Sequence, residues 1–222
     1  MKKATAIDMK EEFYMNQIIK MNSEFSSVLL GSYEYSDGGP IFYNSLHIKY
    51  PIEWLILDTD LKNNRMLLLS KNVLDSGEFS DFPQFEKRFK PSWKKSNIRK
   101  WLNTVFYNSV FSKEEKAIIC EYQTLPPSTG QIKTFDKIFL LNEREFNKYF
   151  FNKQAMAYMN YLVQDDEEDC ITISPEPWPW WLRSTNSEEY LVRYIDRSGN
   201  INNTHPAANE TGIRPAMWIN CS

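Results

Sequence analysis

The order of strand-forming and helix-forming segments predicts an α+β domain, in which helices pack on a twisted antiparallel sheet. Strand-like segments fill the first third of the chain, capped helices fill the middle, and strand-like segments return after residue 171. Such segregated runs are typical of α+β folds and not of alternating βαβ units. The chain has 222 residues, 42% of them hydrophobic and 15% aromatic, which is enough to bury one large core.

The beginning of the chain predicts a helical extension followed by strands. Residues 1–26 are polar, Met-rich and weakly helical, and we interpret them as an N-terminal helix packed on a single domain of residues 27–222. Residues 28–35 form a strand-like segment that ends in a turn at residues 37–40. Residues 52–58 and 65–70 are apolar on both sides of a polar turn, which predicts a β-hairpin.

Capping residues predict three helix starts in the middle of the chain. Ser112 with Glu115, and Asn142 with Glu145, each have the spacing of a capping box. Ser96 is placed as the N-cap of a helix whose apolar positions recur with helical spacing. These positions are Ile98, Trp101, Leu102, Val105 and Phe106.

The last third of the chain predicts strands and loops. Prolines at 175, 177 and 179 exclude a helix before the bulky segment 180–183. Residues 190–196 are expected to form a strand, residues 197–200 a turn, and residues 213–219 one final strand.

Composition argues against several classes of protein. The net charge of −3 does not favour a dedicated nucleic-acid binder, and no nucleic-acid partner is expected from it. Cys120, Cys170 and Cys221 stand alone, and His47 and His205 lack the spacing of a metal pair, so neither metal nor cofactor is predicted. Acidic residues near the N-terminus and the absence of long apolar runs predict a cytoplasmic chain without a membrane partner.

A set of motifs in a fixed order resembles a known bacterial family. The motifs are PIEWLILD, LLLSKNVLD, SNIRKWLN, FSKEE, DKIFLLNEREFNKYF, WWLRS and GIRPAMWI. Together they resemble a domain-of-unknown-function family that is common in Firmicutes. That family in turn looks similar to the C-type-lectin-like superfamily, because a WWLRS strand, a hairpin near residue 198 and a GIRPA strand close the chain in the same order.

The resemblance implies a C-type-lectin-like fold with long C-terminal loops, but it does not imply one function. The superfamily includes sugar-binding lectins, receptor-binding proteins and formylglycine-generating enzymes. The tripeptides that hold calcium in the calcium-dependent lectins are missing from this sequence, so calcium-dependent sugar binding is not predicted.

The candidate ligand-binding residues lie mainly in the polar segment 200–212. Loops that a rigid sheet holds in place often carry binding sites, and Asn and Glu side chains offer donors and acceptors to a hydroxyl-rich ligand. A solvated loop without a partner is an equally open alternative. The candidates are Trp178, Asn202, Asn203, His205, Asn209 and Glu210.

The motif strands supply residues with an expected structural role. At least one of Trp180 and Trp181 should lie in the core, because neighbours on a strand point to opposite faces. Arg183 and Arg214 could clamp an anion, but we favour pairing with buried acids or loop carbonyls. Trp218 belongs to the last motif strand and is assigned to the same structural set.

The leading hypothesis is a non-catalytic domain that binds a glycan or a protein surface, with no catalytic residue assigned. One alternative is an enzyme of the formylglycine-generating type on the same fold. A second alternative is nucleic-acid binding through residues 87–100, where basic residues alternate with aromatic ones. The basic residues are Lys87, Arg88, Lys90, Lys94, Lys95, Arg99 and Lys100, and the aromatic ones are Phe89, Trp93 and Trp101.

Overall fold

The computed structural model describes residues 25–35, 49–80, 90–124, 133–151, 154–163, 170–186, 190–208 and 210–221. These residues form a mixed α+β structure with mostly antiparallel strands and few helices, as the sequence predicts. The expected helix at residues 1–26 lies outside the described residues except for its last two positions, and so does the expected turn at residues 37–40.

The first sheet contains the predicted hairpin. Its strands are β1 (Ser27–Tyr33), β2 (Tyr50–Asp60), β3 (Arg65–Ser70) and β13 (Ala216–Asn220), in the spatial order β1-β2-β3-β13. All neighbours in this sheet are antiparallel. Asn64 closes the β2–β3 turn with a φ of 49°, a left-handed conformation that Asn tolerates better than most residues.

The second sheet is built largely from the C-terminal motifs. Its strands are β4 (Asp75–Ser76), β9 (Trp180–Asn186), β10 (Leu191–Ile195), β11 (Ile201–Thr204) and β12 (Gly212–Ile213), in the order β11-β10-β9-β12-β4. The predicted turn between β10 and β11 is confirmed, and Gly199 there has a φ of 84°. Gly212 pairs in parallel with Trp180 of β9. It also packs closely against Val73, because an added Cβ would lie 2.4 Å from Val73 Cγ1.

The single final strand predicted at residues 213–219 is wrong. Strand β12 ends at Ile213 and belongs to the second sheet, whereas β13 begins at Ala216 and belongs to the first. Pro215 has no N–H to donate to a ladder, and its carbonyl accepts a hydrogen bond from the Ser70 N–H at 2.9 Å. The segment Arg214–Pro215 therefore passes the chain from one sheet to the other.

The predicted helix starts are confirmed. Helix α1 (Asn97–Trp101) is followed by a π-helical turn (Leu102–Phe106) and by α2 (Tyr107–Val110), and α3 (Lys113–Ile118) and α4 (Glu143–Phe150) come later. Ser96 Oγ accepts from the Arg99 N–H at 3.1 Å, and both predicted capping boxes are complete. The π-helical turn interrupts the apolar stripe, and Val105 is 59% exposed.

Two further hairpins were not predicted. One consists of β5 (Tyr122–Thr124) and β6 (Thr134–Asp136), and the other of β7 (Asn160–Val163) and β8 (Cys170–Ile173). Their strands are three or four residues long, too short to give a clear alternating pattern in sequence.

Strand β9 lies in the core with both faces covered. Trp180 and Trp181 are each 0% exposed, although they point to opposite faces of the strand. Trp180 packs against Phe146 of α4 at a ring distance of 5.8 Å, and Trp181 packs against Phe79 at 5.7 Å. At least one of the two was expected to be buried, and the structure shows that both are.

Candidate functional site

A cavity of about 280 Å³ lies where strand β4, the start of helix α1 and strand β12 meet. This volume is close to the lower end of the range of roughly 300–1,000 Å³ for small-molecule sites. Residues from three distant parts of the sequence line it. They are Asp75, Ser76, Gly77, Glu78, Asn97, Ile98, Trp101 and Ile213.

A carboxylate held by two hydrogen bonds forms one part of the cavity wall. Tyr33 Oη donates to Asp75 Oδ2 at 2.5 Å, and the Ser76 N–H donates to Asp75 Oδ1 at 2.7 Å. Burial raises the pKa of Asp75 above its ordinary value, although both hydrogen bonds act in the opposite direction. Burial, followed by the charge of Asp75, raises the pKa of Tyr33, so this phenol stays a donor and fixes the carboxylate.

Helix α1 places an indole in the wall. Asn97, Ile98 and Trp101 share one side of the helix because residues three and four apart are neighbours on a helix surface. Trp101 is half-buried, and its ring lies edge-on to Tyr33 with 6.5 Å between the centroids. Its indole N–H donates to no other residue in the described ranges. The π-helical turn follows directly, and such turns are frequent at functional sites.

The polar groups of the cavity are mainly acceptors. Glu78 is exposed and makes no hydrogen bond or ion pair with another described residue. Asn97 carries both a carbonyl oxygen and an NH₂ group, and Ile98 and Ile213 add apolar surface. Within the part of the chain that the structure describes, none of the lining residues is Lys, Arg or His. The arrangement suits a small ligand that donates hydrogen bonds and has an apolar face, and it disfavours an anion.

The structure brings two of the predicted ligand residues together. The indole N–H of Trp178 donates to the backbone carbonyl of Glu210 at 2.9 Å. The guanidinium of Arg197 lies 5.3 Å from the centroid of the Trp178 ring, which is within the range of a cation–π contact. Trp178 is partly buried against the core, and the Glu210 side chain is exposed. The two residues thus form a surface of their own, separate from the cavity lining.

The other predicted ligand residues are spread along strand β11 and the segment after it. Asn202 is exposed, whereas the Oδ1 atom of Asn203 is buried without a hydrogen-bond partner in the described part of the chain. Asn202 and Asn203 belong to β11 and pair with Tyr194 and Arg193, so this part of segment 200–212 is strand and not loop. His205 is exposed, and its Nδ1 accepts from the Ala207 N–H at 3.2 Å. Asn209 lies outside the described residues.

Arg183 is held by an acid and a carbonyl, as favoured from the sequence. Its side chain is 1% exposed, and its Nη1 and Nη2 atoms donate to the two carboxylate oxygens of Glu145 at 2.6 and 2.8 Å. Nη1 also donates to the Leu140 carbonyl. The guanidinium is buried and already bound to Glu145 and Leu140, so it is not available to bind an external anion.

Arg214 is held by carbonyls alone. Its Nε and Nη2 atoms donate to the carbonyls of Ser70 and Lys71 at 2.8 and 3.0 Å, and its guanidinium lies 4.8 Å from the Trp180 ring. Complete burial lowers its pKa to about 9, and its Nη1 atom has no hydrogen-bond partner in the described residues. Trp218, from the same motif, is 7% exposed and lies under the guanidinium of Arg65 at 4.5 Å.

Two residues of the basic segment 87–100, Trp93 and Arg99, are held by a buried acid. Asp136 has a fully buried side chain that accepts from Arg99 Nε at 2.6 Å and from the Trp93 indole at 2.9 Å. Trp93 is 5% exposed, so it cannot stack on a nucleic-acid base as its position in the basic run indicated. Lys87, Arg88 and Phe89 lie outside the described residues.

Two cysteines, Cys120 and Cys221, are free thiols that are partly buried. Burial raises the pKa of Cys120, and burial together with the neighbouring Cys120 raises the pKa of Cys221. A raised pKa keeps a thiol protonated and less nucleophilic at neutral pH. Among the described residues, no group of three or more His, Cys, Asp or Glu side chains could hold a metal ion. No helix there is both long and apolar enough to cross a membrane.

Residues 63–221 match the family model described as Domain of unknown function (DUF6273), which covers more than half of the chain. The chain therefore belongs to this family, as its ordered motifs indicated. No match was found among the curated proteins or among the solved structures.

Sequence reasoning did not find the cavity residues. The sequence pattern places Trp101 in the apolar stripe of helix α1. The same pattern marks Ser96 as the N-cap and gives no separate role to Asn97, the next residue. Asp75 belongs to the two-residue strand β4, and Glu78 follows it by two positions, so no periodic pattern marks either residue. The one available signal was Trp101 itself, an aromatic residue that directly follows Arg99 and Lys100.

Proposed function

We propose that this domain is a non-catalytic binding module that takes a neutral carbohydrate into the cavity formed by Asp75, Glu78, Asn97 and Trp101. The observation that carries the proposal is a half-buried indole that shares a small cavity with two carboxylates and an amide, with no basic residue among the described lining residues.

The chemistry of a sugar ring fits these groups. A pyranose has an apolar face of C–H groups, which packs well on an aromatic ring, and hydroxyls that donate to carboxylate and amide oxygens. Hydrogen bonds to charged acceptors are stronger than those between neutral groups, so Asp75 and Glu78 are suited to hold such hydroxyls. A phosphorylated or carboxylated sugar would bring like charge close to the same carboxylates, which disfavours it.

The order of the closing strands supports a C-type-lectin-like fold for the module. Strand β9 carries the WWLRS motif, the β10–β11 hairpin follows, and the GIRPA segment then forms β12 and enters β13. This is the order on which the resemblance to that superfamily rests. In this fold proposal the cavity lies beside β12, and Ile213 of the GIRPA segment contributes to its wall.

A second surface is a candidate for a glycan or protein partner. It consists of Trp178 and Glu210, and Asn202 and His205 are further exposed candidates in the same C-terminal part of the chain. The contact between Trp178 and Glu210 favours it, because an aromatic ring that is only partly buried and held by a loop carbonyl is a rigid contact point. The two surfaces make different predictions for the same binding experiment.

The test is calorimetric titration of the full chain with ligands chosen from a glycan array of neutral and acidic sugars. Glu78→Gln should weaken binding about tenfold, because a hydrogen bond to a charged acceptor contributes about 1.5–3 kcal/mol and one to the remaining amide oxygen about 0.5–1.5 kcal/mol. Trp101→Phe and Trp101→Ala should weaken binding progressively as the stacking surface shrinks. Thermal melting of each variant would show that the fold is kept.

The matched control is Trp178→Ala together with Asn202→Ala, on the second surface. Under our proposal these changes leave sugar affinity unaltered. If they abolish binding while Glu78→Gln and Trp101→Phe do not, the ligand occupies the second surface and the cavity assignment is wrong.

A further inference from the structure

An exposed phenylalanine lies on the β5–β6 hairpin, two residues from Lys133 in sequence and linked through Arg99 to the backbone of Lys94. Phe135 is 58% exposed, whereas its neighbours Thr134 and Asp136 are buried, as strand alternation requires. A single exposed apolar residue is common on protein surfaces and has no meaning by itself. Its surroundings are what distinguish Phe135.

One guanidinium joins the hairpin to the basic segment. Arg99 Nη2 donates to the Phe135 carbonyl, and Arg99 Nη1 donates to the Lys94 carbonyl, both at 3.3 Å. The Nε atom of the same side chain pairs with the buried Asp136. The backbone of Phe135 and the backbone of Lys94 are therefore held close together by the same side chain, on neighbouring parts of the protein surface.

No described residue forms an ion pair with the exposed lysines of this surface. Lys94, Lys95, Lys100 and Lys133 are exposed, and none of them forms an ion pair or donates a side-chain hydrogen bond to another described residue. The acid in these two segments, Asp136, is already paired with Arg99. These lysines produce a locally positive electrostatic potential, although the net charge of the whole chain is −3.

We infer that this surface, which we call the Phe135 surface (Phe135, Lys94, Lys95, Lys100 and Lys133), binds single-stranded nucleic acid. The lysines contact phosphates, and the Phe135 ring stacks on an unpaired base. Gln123 lies opposite Phe135 in the hairpin, on the same face, where its amide can bond the edge of that base. A base inside a duplex is already stacked, which is why the single strand is the form that fits an exposed ring.

The stacking residue is thus neither of the two tryptophans of the basic segment. Trp93 is buried on Asp136, and Trp101 lines the cavity. The nucleic-acid surface and the proposed carbohydrate cavity share no residue, so the two proposals fail or hold independently.

The test is fluorescence anisotropy of the full chain with a labelled oligothymidylate of about 16 nucleotides, which is the upper end of typical single-strand site sizes. Affinity should fall as salt is raised, because lysine contacts release counterions from the strand. Phe135→Ala should lower affinity about 5- to 150-fold, the range expected for loss of one stacked base. Replacing Lys94, Lys95 and Lys133 by Gln should reduce the slope of log affinity against log salt by about 2.

The β2–β3 turn offers matched controls, since Leu61 is 85% exposed and Lys62 is exposed beside it. Leu61→Ala and Lys62→Gln should leave affinity and salt slope unchanged, as should Glu78→Gln in the cavity. Absence of binding at low salt would overturn the inference. Equal effects of Phe135→Ala and Leu61→Ala would also overturn it, and so would binding to heparin or phosphatidylserine vesicles without binding to the oligonucleotide.

Discussion

The buried pair of Arg183 and Glu145 is expected to contribute strongly to the stability of the domain. Its guanidinium is 1% exposed and makes two hydrogen bonds to one carboxylate, at 2.6 and 2.8 Å. Glu145→Gln keeps the shape of the side chain and one acceptor oxygen but removes the negative charge. Arg183 is then left in the interior without a counter-charge, and breaking a buried pair in this way costs about 3–5 kcal/mol.

The loss of free energy of unfolding translates into a large thermal shift. In a domain of 150–250 residues, 1 kcal/mol corresponds to about 2–4 °C, so Glu145→Gln should lower Tm by about 6–20 °C. Urea denaturation followed by tryptophan fluorescence gives the free energy, and calorimetry gives Tm. Adding Arg183→Met to Glu145→Gln should restore part of the loss, because the unpaired charge is then absent.

The control is a surface pair of the same residue types. Arg197 Nη1 lies 3.2 Å from Glu176 Oε2, with side chains 52% and 74% exposed. Glu176→Gln should change stability by at most about 1 kcal/mol, since water screens exposed pairs. Equal losses for Glu145→Gln and Glu176→Gln would refute the reasoning that burial decides the contribution of the pair.

Three further predictions concern stability at other positions. Gly212→Ala should lower the free energy of unfolding, measured by urea denaturation, by about 1–3 kcal/mol, because the new methyl group would lie 2.4 Å from a valine side chain. Gly77→Ala is the control: no atom lies within 4 Å of its added Cβ, so the free energy of unfolding should change by at most about 0.5 kcal/mol. The pKa of Asp75 is raised in the folded state, so its contribution to stability is present below the ordinary pKa and lost as pH rises through the folded value. The stability of the unmodified protein relative to Asp75→Asn should therefore be greater at about pH 4 than at pH 7, and a constant or opposite difference would contradict this. Ser112→Ala removes the side-chain acceptor for the Glu115 N–H and should lower the free energy of unfolding by about 1 kcal/mol, with restoration by Ser112→Asp as the check.

Features that depend on neighbours in sequence could be predicted without the structure. The capping box of Ser112 and Glu115 joins residues three positions apart, and the chemistry of those two side chains alone determines it. The β2–β3 hairpin follows in the same way from two apolar segments around a polar turn. The burial of Trp180 and Trp181 was expected in part, because neighbours on a strand point to opposite faces and at least one of the two must then face the core.

Features that depend on contacts between distant segments were decided by the tertiary structure. The break between β12 and β13 at Arg214–Pro215 exists because two different sheets receive the strands, and the sequence pattern of GIRPAMWI is equally compatible with one strand. The partner of Arg183 is likewise a residue 38 positions away, one of many acids in the chain.

The candidate sites show the same division. The sequence by itself determined the α+β class, the family membership, the capped helices and the polarity of the C-terminal segment. The tertiary structure decided that Asp75, Trp101 and Ile213 share one cavity and that Phe135 lies beside Lys94. The physical reason is that periodicity and capping act over a few residues, whereas a cavity or a charged surface arises where segments far apart in sequence pack against each other.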